Sequence, residues 1–367
     1  MSCVTDSPPR SAAILGTVGV PGNYGGFETL AENLVTFHDA TANPLALTVY
    51  CSAKAFEQKP SHYHSAALVY VGFDANGVQS IPYDMVGLCD AVRRGHDRLL
   101  VLGVSGALVL PLLRLVTKAR IITNVDGIEW KREKWRGLAK RYLRFAEWLA
   151  IKASHVIIAD NQAIADYLKE SYGCNAEVIP YGGDHAIKAD PDPTAAFHLP
   201  EAYALGLCRI EPENNVGMIL EAFDELEQPL VFIGNWDKSA YGRALKAKYA
   251  AHPTIIIHNP VYDPRHLRAI RDRATLYLHG HSAGGTNPAL VEMMHFGIPI
   301  AAHGCSFNRH TTENKALYFE SALELHELVQ ALTPGRAEQV GANMGEIARR
   351  RYTWERIGRS YFGLLEA

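Results

Sequence analysis

His281–Glu292 reads H-S-A-G-G-T-N-P-A-L-V-E and follows an apolar run, Ala274–Leu278. An apolar run, a glycine turn and a proline-led segment, in that order, predict a strand, a tight loop and a helix starting near Pro288. Proline suits the first helical turn, where its missing N–H costs nothing. Glycine lets backbone N–H groups approach a ligand closely, and a helix N-terminus carries partial positive charge that suits phosphate. Glu292 lies one turn into the helix, within reach of a sugar hydroxyl. The arrangement points to a nucleotide-sugar diphosphate.

The same alternation runs along the chain. Strands are predicted at Ala12–Leu15, Leu47–Tyr50, Ala67–Val71, Leu99–Gly103 and Ile121–Asn124. In the second half they fall at Tyr203–Leu207, Leu230–Ile233, Thr254–His258, Leu276–Leu278 and Pro299–Ala302. Helical stretches lie between them, among them Phe27–Phe37, Leu138–Ala153, Asn215–Glu225 and Pro264–Asp272. Strand and helix in alternation imply parallel sheets covered on both faces. At 367 residues the chain is too long for one ordinary core. Pro180–Pro200, dense in turn residues, reads as a linker. The expected fold is α/β with two doubly wound Rossmann-like domains, 1–185 and 200–349, facing a central cleft.

Composition narrows the function. Hydrophobic residues make up 48%, enough for packed cores, and the net charge of −3 argues against a nucleic-acid partner. The scattered cysteines form no C-x-x-C pair, which suits reduced thiols in a cytoplasmic protein and no structural zinc. The first residues lack the basic start and apolar run of a signal peptide. Leu99–Leu113 is apolar but too short for a membrane span, and Gly103, Gly106 and Pro111 interrupt it. It is read as a strand, a glycine turn and the start of a helix.

Further candidates sit at predicted strand ends. Gly16, Gly19, Gly22, Gly25 and Gly26 crowd between the first strand and its helix. They make either a flexible lip that meets phosphate or sugar through its backbone, or a plain strand-to-helix turn. Their spacing is neither G-x-G-x-x-G nor a Walker loop. Arg209, in L-G-L-C-R-I-E-P-E-N-N, follows an apolar strand and could chelate a diphosphate with its planar fork, or pair with Glu211 or Glu213. Asp126 and Glu129, in N-V-D-G-I-E-W-K-R, follow another strand. Either carboxylate could face a ligand, and a surface salt bridge serves Glu129 equally well.

These blocks resemble those of GT-B glycosyltransferases of family four. They are most similar to the bacterial rhamnosyltransferase-like subgroup whose N-terminal domain was catalogued as of unknown function. The resemblance rests on Y-G-G-F-E-T, N-V-D-G-I-E-W-K-R-E-K-W, C-R-I-E-P-E-N-N and G-H-S-A-G-G-T-N-P-A-L-V-E, and covers nearly the whole chain. It implies that a final helix, about 350–367, packs back on the first domain. It implies that Arg209 binds the donor diphosphate and Glu292 the ribose, with Gly284, Gly285, Thr286 and Asn287 along sugar and phosphate. Asn214 stands beside them where the wider family has a lysine, and Val261 would touch the base. Gly25 and Gly26 would close over the donor, with Tyr24, Glu28 and Glu129 on the acceptor side.

The implied reaction is retaining transfer of L-rhamnose from dTDP-rhamnose to a glycan on a polyprenyl-diphosphate carrier, without cofactor or metal, Arg209 and helix dipoles standing in for a cation. UDP- or GDP-sugars fit the same pattern. A sugar-nucleotide epimerase of this fold lacks motif support. The chain departs from the wider family at Gly284 (a glutamate there), at Asn214 and at Asp126 (a histidine there). These changes leave open a catalytically silent module that binds sugar nucleotide within an assembly complex. Gly284 would suit a 6-deoxy sugar, and Asp126 would either act at the reacting centre or only orient substrate.

Residues 130–148 combine Lys131, Arg132, Lys134, Arg136, Lys140, Arg141 and Arg144 with Trp130, Trp135 and Trp148. Such a segment either lies on the inner face of the cytoplasmic membrane, making the protein peripheral, or is a solvated helix face with buried tryptophans.

Overall fold

The structure is a computed structural model that describes residues 10–22, 25–127, 130, 137–196 and 198–367. The chain forms two compact units. One runs to Ile179 and takes in Trp354–Ala367; the other is Pro180–Thr353.

The first unit is built on β1 (Ser11–Leu15), β2 (Ala46–Ser52), β3 (His62–Tyr63), β4 (Ala66–Val71), β5 (Arg98–Leu102), β6 (Arg120–Asn124), β7 (Val156–Ala159) and β8 (Glu177–Val178). They form one sheet in the order β3-β4-β2-β1-β5-β6-β7-β8, parallel except for the β3–β4 pair. Its helices are α1 (Gly26–Ala40), α2 (Ser80–Arg93), α3 (Leu110–Val116), α4 (Gly137–Ala153) and α5 (Gln162–Tyr172). Right-handed crossovers put α2 to α5 on one face and α1 on the other. The central strands are aliphatic on both sides, and Ala12, Ala13, Ile14, Leu99 and Leu100 are fully buried, as strands covered on both faces must be.

The second unit contains β9 (Tyr203–Leu207), α6 (Val216–Phe223), β10 (Leu230–Ile233), α7 (Ala240–Tyr249), β11 (Ile255–His258), α8 (Pro264–Asp272) and β12 (Ala274–His279). Then come α9 (Pro288–Met294), β13 (Ile300–His303), α10 (Ser306–Thr311), β14 (Leu317–Phe319), α11 (Ala322–Gln330) and α12 (Pro334–Arg351). Its parallel sheet has the order β11-β10-β9-β12-β13-β14. The last helix, α13 (Trp354–Glu366), belongs to the first unit. It packs on α1, where the Phe37 and Phe362 rings stack at 5.6 Å.

The Pro180–Pro200 stretch differs from a linker. It lies within the second unit, folded into 3₁₀ turns at Asp184–Ile187 and Pro193–Ala196, with Tyr181, Ala186 and Ala196 buried. Turn residues there are held by packing: the Arg273 guanidinium donates to the Ala196 carbonyl at 2.7 Å, and Arg268 to that of Ile187. The strands absent from the sequence reading are β3, β7, β8 and β14. All but β7 have two or three residues, too few to show periodicity, and β7 follows α4 after only Ser154 and His155.

Gly341, inside α12, lies against the loop after α9; a Cβ there would sit 2.2 Å from the Gly297 carbonyl oxygen. Helix propensity alone favours alanine by about 1 kcal/mol. Backbone cannot yield as a side chain does, so Gly341→Ala is expected to destabilise the chain by roughly 1–3 kcal/mol. Thermal melting checks this, and a raised Tm would contradict the packing.

Candidate functional site

In the second unit the strand order reverses between β9 and β12, the point at which open parallel sheets bind ligands beyond their carboxyl ends. Arg209 follows β9, and the His281–Asn287 loop follows β12. Hydrogen bonds from Asn215 and Ser282 fasten these two loops together. Asn215 Nδ2 donates to the Gly280 carbonyl at 2.8 Å. The Ser282 hydroxyl and N–H both donate to the Glu213 carbonyl, at 2.8 and 3.1 Å. Gly280 permits the approach, since a Cβ would lie 2.2 Å from the Asn214 carbonyl oxygen.

Asn214 changes meaning in this setting. It is fully buried and donates to the Arg209 carbonyl at 2.7 Å, so it shapes the Arg209 loop from beneath and presents no surface to a donor. The Arg209 guanidinium is only loosely engaged, 3.8 Å from Glu211, with its side chain 35% exposed. A contact that long leaves its fork available to an anion.

Gly284 has φ +130°, and a Cβ there would meet only the His281 ring, at an ordinary 3.7 Å, so glycine is required there by backbone conformation, whatever sugar is bound. That removes the need to explain the residue by a 6-deoxy sugar. Gly285 completes the turn, Thr286 is buried, and Asn287 caps α9 by accepting the Ala289 N–H at 3.0 Å. Val261 is half-buried in the loop after β11, on the same carboxyl edge.

Glu292 is part of a part-buried ionic group. One oxygen accepts from the Arg271 guanidinium, and the other lies 3.3 Å from His185 Nε2. Burial opposes ionisation of Glu292, but Arg271 and His185 outweigh it and hold its pKa at about 2, against an ordinary 4.5. Both carboxylate oxygens therefore have protein partners. Sequence reasoning missed these partners. Arg271 adjoins the buried Ala269 and Ile270 on α8; His185 lay in the supposed linker.

His279 was also missed. It is 3% exposed at the end of β12, its ring 5.6 Å from that of His281. Burial, then the neighbouring His281 and His303, push its pKa well below the usual histidine value and keep it neutral.

In the first unit the order reverses between β1 and β5, so the glycine loop after β1 lies at the corresponding point. Carboxylates from α1 brace it. Glu28 Oε1 accepts from the Thr17 hydroxyl at 3.1 Å and the Val18 N–H at 2.8 Å, and Glu32 accepts the Gly22 N–H at 3.3 Å. Glu28 Oε1 is thus engaged with the loop after β1. These N–H groups are engaged by carboxylates, which departs from a flexible lip reaching for phosphate. Gly25 has φ +133°, and a Cβ would sit 1.9 Å from Glu28 Oε2; Gly26 begins α1. Tyr24, Glu129 and residues 131–136 lie outside the described residues.

Asp126 follows β6 at φ +61°, a left-handed conformation that aspartate tolerates better than most residues. Its N–H donates to Asn124 Oδ1 at 2.9 Å, while Asn124 Nδ2 donates to the Tyr361 hydroxyl of α13 at 2.7 Å. The strained turn is held by a buried amide and a buried phenol, neither evident from the sequence. Backbone outliers so supported cluster at functional sites.

Sucrose-phosphate synthase from Thermosynechococcus elongatus superposes with a TM-score of 0.80 at 15% identity, covering 98% of each chain. HepE from Anabaena, in complex with UDP and glucose, gives 0.71 at 13% identity, covering 98% of this chain and 100% of that one. The α,α-trehalose 6-phosphate synthase from Burkholderia multivorans gives 0.72 at 11%, with 98% and 96% covered. The fold is GT-B. Residues 10–184 also match a family model described as a domain of unknown function, DUF1972. No curated protein sequence matches the chain. Identities this low establish the GT-B fold alone, and activity has to be argued from the residues.

Glu292→Gln leaves the buried Arg271 charge uncompensated and is expected to cost about 3 kcal/mol at neutral pH. Because the folded pKa of Glu292, about 2, lies below its ordinary 4.5, its stabilisation is full above pH 4.5 and is lost as pH falls toward 2. Denaturant melts across that window should show the gap between wild type and variant closing; a gap unchanged by pH would contradict the ionic group.

Proposed function

We propose that the chain is a glycosyltransferase that holds a nucleoside-diphosphate sugar on its second unit. The observation that carries this is the fastening of the Arg209 and His281–Asn287 loops side by side at the strand-order reversal. A loosely engaged guanidinium beside a glycine turn suits a diphosphate: the fork gives bidentate hydrogen bonds, and the turn lets backbone N–H groups approach. HepE, of the same fold, was obtained with UDP and glucose, which supports a nucleotide-sugar partner.

The donor we favour is dTDP-L-rhamnose, on the resemblance of the long motifs to the rhamnosyltransferase-like subgroup, and the acceptor is a glycan on a polyprenyl diphosphate. With retention, the bond from the anomeric carbon to the diphosphate oxygen breaks as the acceptor oxygen attacks from the same face. The leaving diphosphate takes up the acceptor proton. Arg209 would stabilise the charge that develops on the diphosphate, the role elsewhere taken by a cation. No separate base is then needed, and Asp126, fixed by Asn124, would orient substrate. Glu292, held on both oxygens, would act by shaping α9.

One alternative has a specific observation behind it. Glu292 and Asn214 are both committed to internal contacts, which favours a silent module that binds sugar nucleotide without turning it over.

A panel of sugar nucleotides with a lipid-linked acceptor extract separates these, read by release of nucleoside diphosphate. Release from dTDP-rhamnose is expected. Release only from a UDP- or GDP-sugar would replace the donor, and binding without release would favour the silent module. Arg209→Ala should weaken nucleotide-sugar binding about tenfold to a hundredfold, the range for a lost charge-assisted hydrogen bond. Asp126→Asn keeps the left-handed turn accessible and should lower turnover with little change in donor binding; full turnover would remove Asp126 from the mechanism.

A further inference from the structure

We propose that α3 and α4 of the first unit form a docking face for an anionic lipid bilayer. Leu112, Leu115 and Val116 on α3 are 65%, 83% and 74% exposed. Phe145 and Trp148 on α4 are 49% and 42% exposed, and their rings stack at 5.8 Å in the open. The two helices pack side by side; the Arg114 guanidinium of α3 donates to the Ala153 carbonyl at the end of α4 at 3.3 Å. Each helix already buries its other face, Leu110 and Leu113 on α3 and Ala146 and Ala150 on α4. The outer apolar residues are therefore surplus to the core, and soluble proteins seldom leave this many large apolar side chains exposed on two adjoining helices without a use.

The charge around this ridge selects the occupant. Arg114, Lys118, Lys140, Arg141, Arg144 and Lys152 are exposed on or beside the two helices. The only acid in Leu110–Arg120 or Gly137–Ala153 is Glu147, which is buried and accepts hydrogen bonds from Trp130, Tyr167 and Tyr172. An aliphatic and aromatic ridge flanked by long basic side chains matches a lipid interface, where the apolar groups enter and the cations stay among phosphates. A second copy of the chain is a poor occupant, since a symmetric contact would set these cations against themselves. Just ahead of α3, an open groove of about 400 Å³ lined by Met85, Val86, Cys89, Asp90, Arg93 and Val109 continues toward α2.

The helix that carries most of the exposed apolar surface, α3, lies outside the basic aromatic segment 130–148. The face belongs to the first unit and the donor site to the second, so failure of either leaves the other intact.

The test is co-sedimentation of the full chain with vesicles of phosphatidylcholine alone and of phosphatidylcholine with phosphatidylglycerol. Binding is expected to the mixed vesicles and to weaken with added salt. Leu115→Glu with Trp148→Glu should lower it at least about tenfold. Lys140→Glu with Arg141→Glu should lower it by about fivefold for each charge removed, on anionic vesicles only. All four positions are exposed, so the variants should melt like wild type. No binding at low salt would overturn the proposal, as would binding indifferent to both pairs. A dimer in light scattering that Leu115→Glu abolishes would also overturn it and assign the face to self-association.

Discussion

Two short loops at the carboxyl edge of the second sheet are held together by the Asn215 amide and by Ser282, and the candidate site depends on that contact. Arg209 and the His281–Asn287 turn lie far apart in sequence. Asn215 and Ser282 bring them together through backbone carbonyls, and Asn214 fixes the Arg209 loop from beneath. A parallel sheet gathers the ends of all its strands on one edge, but only the strand-order reversal leaves a crevice there. These hydrogen bonds then hold the Arg209 loop against the glycine turn.

The first unit uses a related device with opposite charge. Glu28 and Glu32 reach back from α1 to the glycine loop after β1 and accept its N–H groups. A carboxylate at a helix N-terminus is stabilised by the helix dipole and also disfavours a phosphate in the same place. The two strand-order reversals are therefore chemically distinct: one offers a cation and a glycine turn, the other is filled by its own acids. Asp126 adds a third element, a strained turn supported by Asn124 and, through α13, by Tyr361.

Much of the fold was legible. Strands of four or more aliphatic residues bounded by glycine or proline were readable from pattern alone, because a strand buried on both faces must be apolar throughout. Tyr203–Leu207 and Leu230–Ile233 fall where the pattern put them. The Pro180–Pro200 stretch misled because turn residues look alike whether free or packed, and only tertiary contacts such as His185 with Glu292 distinguish them. The site was half legible. Arg209 and the glycine turn stood out by residue type and position. The roles of Asn214, Glu292 and Gly284 did not, since each depends on a partner or a backbone angle that one sequence cannot display. Gly284 is the clearest case: its glycine answers to φ +130°.

A crystal structure of the chain with dTDP bears most directly on the central claim. The expected result is a diphosphate within hydrogen-bonding distance of the Arg209 guanidinium and of backbone N–H groups in the Gly284–Thr286 turn. A diphosphate bound elsewhere, with Arg209 still turned to Glu211, would contradict it.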